Sequence, residues 1–231
     1  MADGSLRNRD DSVAWGIESP GESRWPALLA VVAAAALQLI LPQPLIQGLG
    51  YRGLIPGLEV ALLVVLLIAN PGKISKEESR LRMVGIALIA LITIANVVSL
   101  LELINALLYP TGAKGGGRPI VYASVPIWLT NILAFGLWYW ELDRGGPASR
   151  QQPTHSEPDF LFPQMSTPGC APGWVPSFLD YLYTSFTNAT AFSPTDTMPL
   201  TPWAKFLMML QSLASLVTVA VVVSRAVNIL S

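Results

Sequence analysis

The sequence predicts an all-α membrane protein, with about five transmembrane helices and one re-entrant helix and loop ahead of the last of them. Three observations lead there. The chain is 52% hydrophobic and only 13% charged, and its mean hydropathy is +0.50. Several apolar runs approach the roughly 20 residues that cross a hydrocarbon core. From Ser177 onward the pattern changes to a short aromatic helix, an irregular polar loop and a long apolar helix. Non-helical backbone survives at membrane depth only when it is sheltered by protein or lines water. That places the short helix and loop as a segment that dips in beside its neighbours.

Composition removes several classes of function. The net charge is −1 and the basic residues are scattered, so nothing points to nucleic acid. The single cysteine, Cys170, excludes an intrachain disulfide and a cysteine metal site. The single histidine, His155, lies in a proline-rich polar loop and cannot form a histidine cluster. No nucleophile–base pair or phosphate loop is evident, so neither an enzyme nor a cofactor or metal is expected. The bilayer itself is the expected partner, in a cell inner membrane or plasma membrane crossed several times.

Residues 1–24 are polar, carry both charge signs and lack the order of a cleavable signal, so they read as a mobile cytoplasmic tail. A four-span membrane region follows over 25–140. The first span starts at Trp25, an interface anchor, and ends near Pro42. The Gly- and Pro-rich segment 43–57 must turn, and the run LEVALLVVLLIA follows. Both runs are short, so two spans or one re-entrant hairpin would fit; two spans are preferred. The segment 70–82 reads as a solvated loop with Lys73, Lys76, Arg80 and Arg82.

The third span, residues 83–109, carries Asn96, Ser99, Glu102 and Asn105 at steps of three, a polar stripe that winds around the helix. Glu102 is either a functional intramembrane acid or an acid near a helix end that reaches headgroups or a loop cation. The fourth span, residues 120–140, ends in an aromatic cluster at Trp138, Tyr139 and Trp140, where an interface is expected. Glu141, Asp143 and Arg144 follow closely enough to pair with one another. The linker 141–176 is rich in Pro and Gly. It reads as disordered or as a lid, with DFLFPQM resting on the membrane face.

The C-terminal region 177–231 has an internal start signal. Ser177 and Asp180 match a capping box. Phe178, Tyr181, Leu182 and Phe186 then form the expected packing stripe of the short helix. Asn188-Ala-Thr190 matches a glycosylation sequon, taken here as a coincidence of composition. In the last helix, Gln211, Ser215, Thr218 and Arg225 recur at steps of four, three and seven. Such a stripe faces water or another helix, and helix packing is favoured. Arg225 is expected to snorkel toward the interface.

The stretch SFTNATAFSPTDTMPLT resembles the pore loop of two-helix potassium channels, whose filter region reads roughly SFxTxTTVGYGDxxPxT. Ser185, Phe186, Thr190, Asp196, Pro199 and Thr201 match it without gaps. The filter positions fall on Ala191, Phe192, Ser193, Pro194 and Thr195, so both glycines are missing. The chain also resembles an uncharacterised bacterial integral-membrane family with the signatures DYLYxSFTNATAFSPTD and QSxxSLxTVA, and that resemblance is the nearer one. The channel resemblance implies a tetramer and a monovalent cation as partner. Thr190, Phe192, Ser193, Thr195 and Asp196 would then lie at the pore loop, with Asp196 supplying negative charge. Potassium filters aim successive backbone carbonyls inward, which glycine does cheaply and Pro194 opposes. A potassium-type filter is therefore not expected.

The two arguments about sidedness conflict. The channel resemblance puts the loop outside. The positive-inside rule gathers Arg7, Arg9, Arg24, Lys73, Lys76, Arg80, Arg82, Arg144, Arg150 and Lys205 on the cytoplasmic side, and Thr195 and Asp196 with them. Three functions remain open: a channel-like protein that passes or senses ions, a non-conducting structural or interaction protein, and a small transporter using Glu102.

Overall fold

A computed structural model describes residues 22–41, 57–62, 64, 79–109, 117–151, 157–167, 174–190 and 196–230. Helices dominate: α1 (Trp25–Ile40), α2 (Ser79–Leu108), α3 (Gly117–Leu142), the short α4 (Pro163–Ser166), α5 (Phe178–Thr190) and α6 (Pro202–Leu230). Two two-residue strands, β1 (Phe160–Leu161) and β2 (Met198–Pro199), pair antiparallel. Residues 57–62 and 64 of the second apolar run are helical. Three helices are long and apolar enough to cross a membrane, within 82–108, 119–145 and 202–225, while α1 is shorter at 16 residues.

Helix α3 is the centre of the molecule: 67% of its apolar window is buried, against 33% for α2 and 28% for α6. Side-chain contacts fix the directions. Arg82 meets Glu141 and Trp138 meets Thr93, so α2 and α3 are antiparallel. Trp128 meets Ser215 and Asn131 meets the Gln211 carbonyl, so α6 is antiparallel to α3 as well. The starts of α1, α2, α5 and α6 therefore gather at one end with the end of α3. Leu41, Leu103, Ile120 and Val221 pack together at the other. Helix α1 fits closely because Ala27, Ala30 and Ala34 lie on one face, and small residues let helices approach.

Several expectations change here. Glu22, assigned to a mobile tail, is held on the bundle by Trp140 and Arg150. Much of the presumed linker is folded. Arg144, Gly145 and Gly146 all have positive φ (53°, 79° and 98°) and reverse the chain after α3. An arginine in this left-handed region costs about 1–2 kcal/mol, and the Asp159 carboxylate holds it there by accepting from the Arg144 N–H. Phe160 and Phe162 are buried against Tyr181 within the bundle rather than resting on a membrane face. Phe186 departs from the packing stripe and is 47% exposed, with its ring edge-to-face against Trp128. The buried face of α5 runs through Phe178, Tyr181, Ser185 and Ala189. Eight residues on from Phe178, Phe186 has rotated about 80° off that face.

Candidate functional site

Helix α5 starts as its sequence directs. Both the Ser177 N–H and hydroxyl donate to Asp180 Oδ2, at 2.8 and 2.7 Å, closing one half of a capping box. The helix then lies against α3, with Gly136 beneath Leu182. A Cβ at Gly136 would sit 3.2 Å from the Leu182 backbone, so only glycine leaves room without displacement. Ser185 donates to the Ile132 carbonyl at 2.7 Å.

Gln211, on α6 and fully buried, joins the three helices. Its Oε1 accepts from Tyr139 at 2.5 Å and from Asn188 at 2.8 Å. Its Nε2 donates to the Ser185 carbonyl and hydroxyl at 2.8 and 2.6 Å. Four residues on, Ser215 donates to the Ala189 carbonyl and accepts from Trp128 Nε1 at 2.8 Å. Ser185 beside Gln211 and Ala189 beside Ser215 mean that α5 and α6 run side by side in the same direction. The polar stripe of α6 thus points toward α3 and α5. Thr218 turns back to the Ala214 carbonyl of its own helix.

The residues singled out from the sequence are dispersed. Thr190 bonds within α5, to the Thr187 carbonyl, and Asp196 is exposed. Phe192, Ser193 and Thr195 lie outside the described residues. Asn188 of the sequon donates to the Met208 carbonyl and to Gln211 inside the bundle. On α2 the polar stripe winds off: Asn96 is buried, Ser99 bonds the Ala95 carbonyl, Glu102 is half-buried and Asn105 is exposed. Among the described residues no hydrogen bond joins Asn96 or Glu102 to Gln211.

A second cluster, which the sequence did not reveal, occupies the end where α5 begins. Arg150 is buried and donates to both Glu22 oxygens at 3.0 and 3.2 Å, and to the Trp140 and Asp143 carbonyls at 2.7 and 3.0 Å. Its guanidinium also lies over the Trp140 and Tyr181 rings. Burial works against its charge, but the Glu22 and Asp143 carboxylates outweigh that and raise its pKa above the ordinary arginine value. Asp143 accepts from Tyr181 at 2.6 Å and from the Asp159 N–H at 2.8 Å, and Asp159 accepts from Thr201 at 2.7 Å. These bonds tie α3, the strand segment, α5 and the start of α6 together. Arg144 pairs with Asp143 as expected, whereas Glu141 pairs with Arg82 on α2.

One more pair escaped the sequence reading. Glu59 is 1% exposed and Gln38 8% exposed. They adjoin each other. Neither Glu59 oxygen nor the Gln38 Nε2 completes a hydrogen bond. The signal was present, since each is a lone polar residue inside an otherwise apolar run. Among the described residues no cluster of three or more His, Cys, Asp or Glu could hold a metal. Comparison with known proteins finds no matching family model, no similar curated protein and no similar solved structure.

Proposed function

We propose that the chain is a five-span integral membrane protein in which α5 and the loop behind it dip into the bilayer and return. We further propose that it serves as a non-conducting scaffold or interaction protein rather than as a pore. Support for the re-entrant reading comes from the shared direction of α5 and α6. Both start at the Arg150 end, although α5 precedes α6 in the chain. Support for five spans comes from Leu41 and Arg82 lying at opposite ends of the bundle, with the second apolar run between them in sequence. Arg24, Arg82, Arg144, Arg150 and Lys205 share the end where α5 begins, which the positive-inside rule makes cytoplasmic. With Cys170 replaced by serine, a cysteine at Asp196 and one at Glu157 should label from the cytoplasmic side of cells, and one at Tyr109 from outside. Labelling of Asp196 and Tyr109 positions from the same side would sink this topology.

One observation carries the functional reading. Ser185, Asn188, Gln211, Ser212 and Ser215 are spent on bonds among α5, α6 and α3, while Thr184, Thr187, Thr190 and Thr218 bond carbonyls of their own helices. Outward the two helices present Leu179, Tyr183 and Phe186 from α5, and Met209, Leu213 and Leu216 from α6. A water path between copies would run along that apolar face. A ring of subunits would thus gain no polar lining from the stripe that the sequence offered for one. Purified protein reconstituted in liposomes should pass sodium and potassium no faster than empty vesicles. Cation flux that disappears in Asp196→Asn would overturn the proposal and restore the pore.

A further inference from the structure

The geometry points to a proton-binding site inside the bundle, formed by the Glu59 carboxyl and the Gln38 amide. Gln38 lies about 20 Å along α1 from Trp25, at 1.5 Å per residue, which is well inside a hydrocarbon core of about 30 Å. It sits one turn before Leu41, which packs among Leu100, Leu103 and Val221. Leu62, one turn after Glu59, packs on the core formed by α1 and α3. Glu59 thus faces the protein interior and is nearly sealed from solvent.

Among the described residues a carboxylate in this position has the Gln38 amide beside it but no cation to balance its charge, and neither oxygen completes a hydrogen bond. The Gln38 amide is the one side chain among the described residues that acts on it, and no charged group does. Two kinds of ion could relieve the charge. A metal cation such as calcium takes about six or more oxygen ligands, and among the described residues no group of three or more His, Cys, Asp or Glu converges here. A proton needs one oxygen. The neutral acid then offers one donor and one acceptor, which match the acceptor and donor of a primary amide. Binding is a simple association: the carboxylate takes up a proton from water, and releases it as the site opens or the pH rises. The site is separate from the Gln211 network and the Arg150 cluster, and it does not depend on whether the protein conducts.

Dicyclohexylcarbodiimide tests this directly, since it adds only to protonated carboxyls and favours those in apolar surroundings. Treating the purified full-length protein in detergent at neutral pH should modify Glu59, read by mass spectrometry of its peptides. Modification should fall as the pH rises and be unaffected by saturating sodium or potassium. It should be lost in Glu59→Gln. Gln38→Leu removes the amide that steadies the site and should shift the pH profile of labelling. No modification of wild-type Glu59 at any pH at which the protein stays folded would overturn the proposal. Protection by a monovalent cation would also overturn it, in favour of a metal-ion site. An unchanged profile in Gln38→Leu would remove Gln38 from the site.

Discussion

Arg150→Met should destabilise the protein by about 3–5 kcal/mol, the range for removing one partner of a buried ion pair. The methionine fills much of the space but leaves Glu22 as an uncompensated acid against the Trp140 indole. It also deprives the Trp140 and Asp143 carbonyls of their donor. Because Arg150 joins the segment after α3 to Glu22, the loss should loosen the whole end of the bundle. Unfolding in a denaturing detergent, followed by loss of helical signal, would measure it. The double variant Glu22→Gln with Arg150→Met should recover much of the loss, since no charge is then left unpaired. A single-variant loss below about 1 kcal/mol would mean the cluster is solvated and behaves as a surface ion pair.

Gln211→Leu is the other large effect. Leucine is close in volume and suits a membrane helix better, so a loss of stability must come from the hydrogen bonds. Four of these involve the Gln211 side chain, to Tyr139, Asn188 and Ser185. Interhelical hydrogen bonds in membranes average about 0.6 kcal/mol each and reach about 1.7. The expected cost is therefore about 2–4 kcal/mol, including the Tyr139 hydroxyl left without its acceptor. The same unfolding assay reads it, and protease cleavage near residue 190 should rise as α5 loses its hold. If Gln211→Leu were neutral or stabilising, the network would be decoration, and the polar stripe would need another purpose.

How much of this was visible in the sequence depends on the range of the interaction involved. Helices α1, α2, α3 and α6 follow from apolar run length, and the start of α5 follows from Ser177 and Asp180, three residues apart. The grouping of Gln211, Ser215 and Thr218 was visible as a heptad stripe. Its direction was not, because the partners Tyr139, Ser185 and Trp128 come from other helices. Arg150 could not be matched with Glu22 from sequence, since 128 positions separate them. Arg144 was matched correctly with its chain neighbour, while Glu141 chose Arg82 across the helix interface. Phe186 was misplaced because composition suggested an aromatic stripe, whereas helical rotation carried that ring off the buried face. Glu59 went unnoticed within an apolar run, where one acid barely alters the average hydropathy but carries nearly all of the electrostatic cost.

The alignment of four helix starts with a single helix finish has an electrical consequence. Each helix places about half a positive charge at its N-terminus and half a negative charge at its C-terminus. Peptide dipoles of α1, α2, α5 and α6 therefore add, with only α3 opposing among the long described helices. At this positive pole the backbone favours Glu22, Asp159 and Asp180 and works against Arg24, Arg82, Arg144, Arg150 and Lys205, which lie there too. The ion pairs Arg82–Glu141, Arg144–Asp143 and Arg150–Glu22 therefore carry a second load, since each holds at that pole a cation that the helix dipoles would push away.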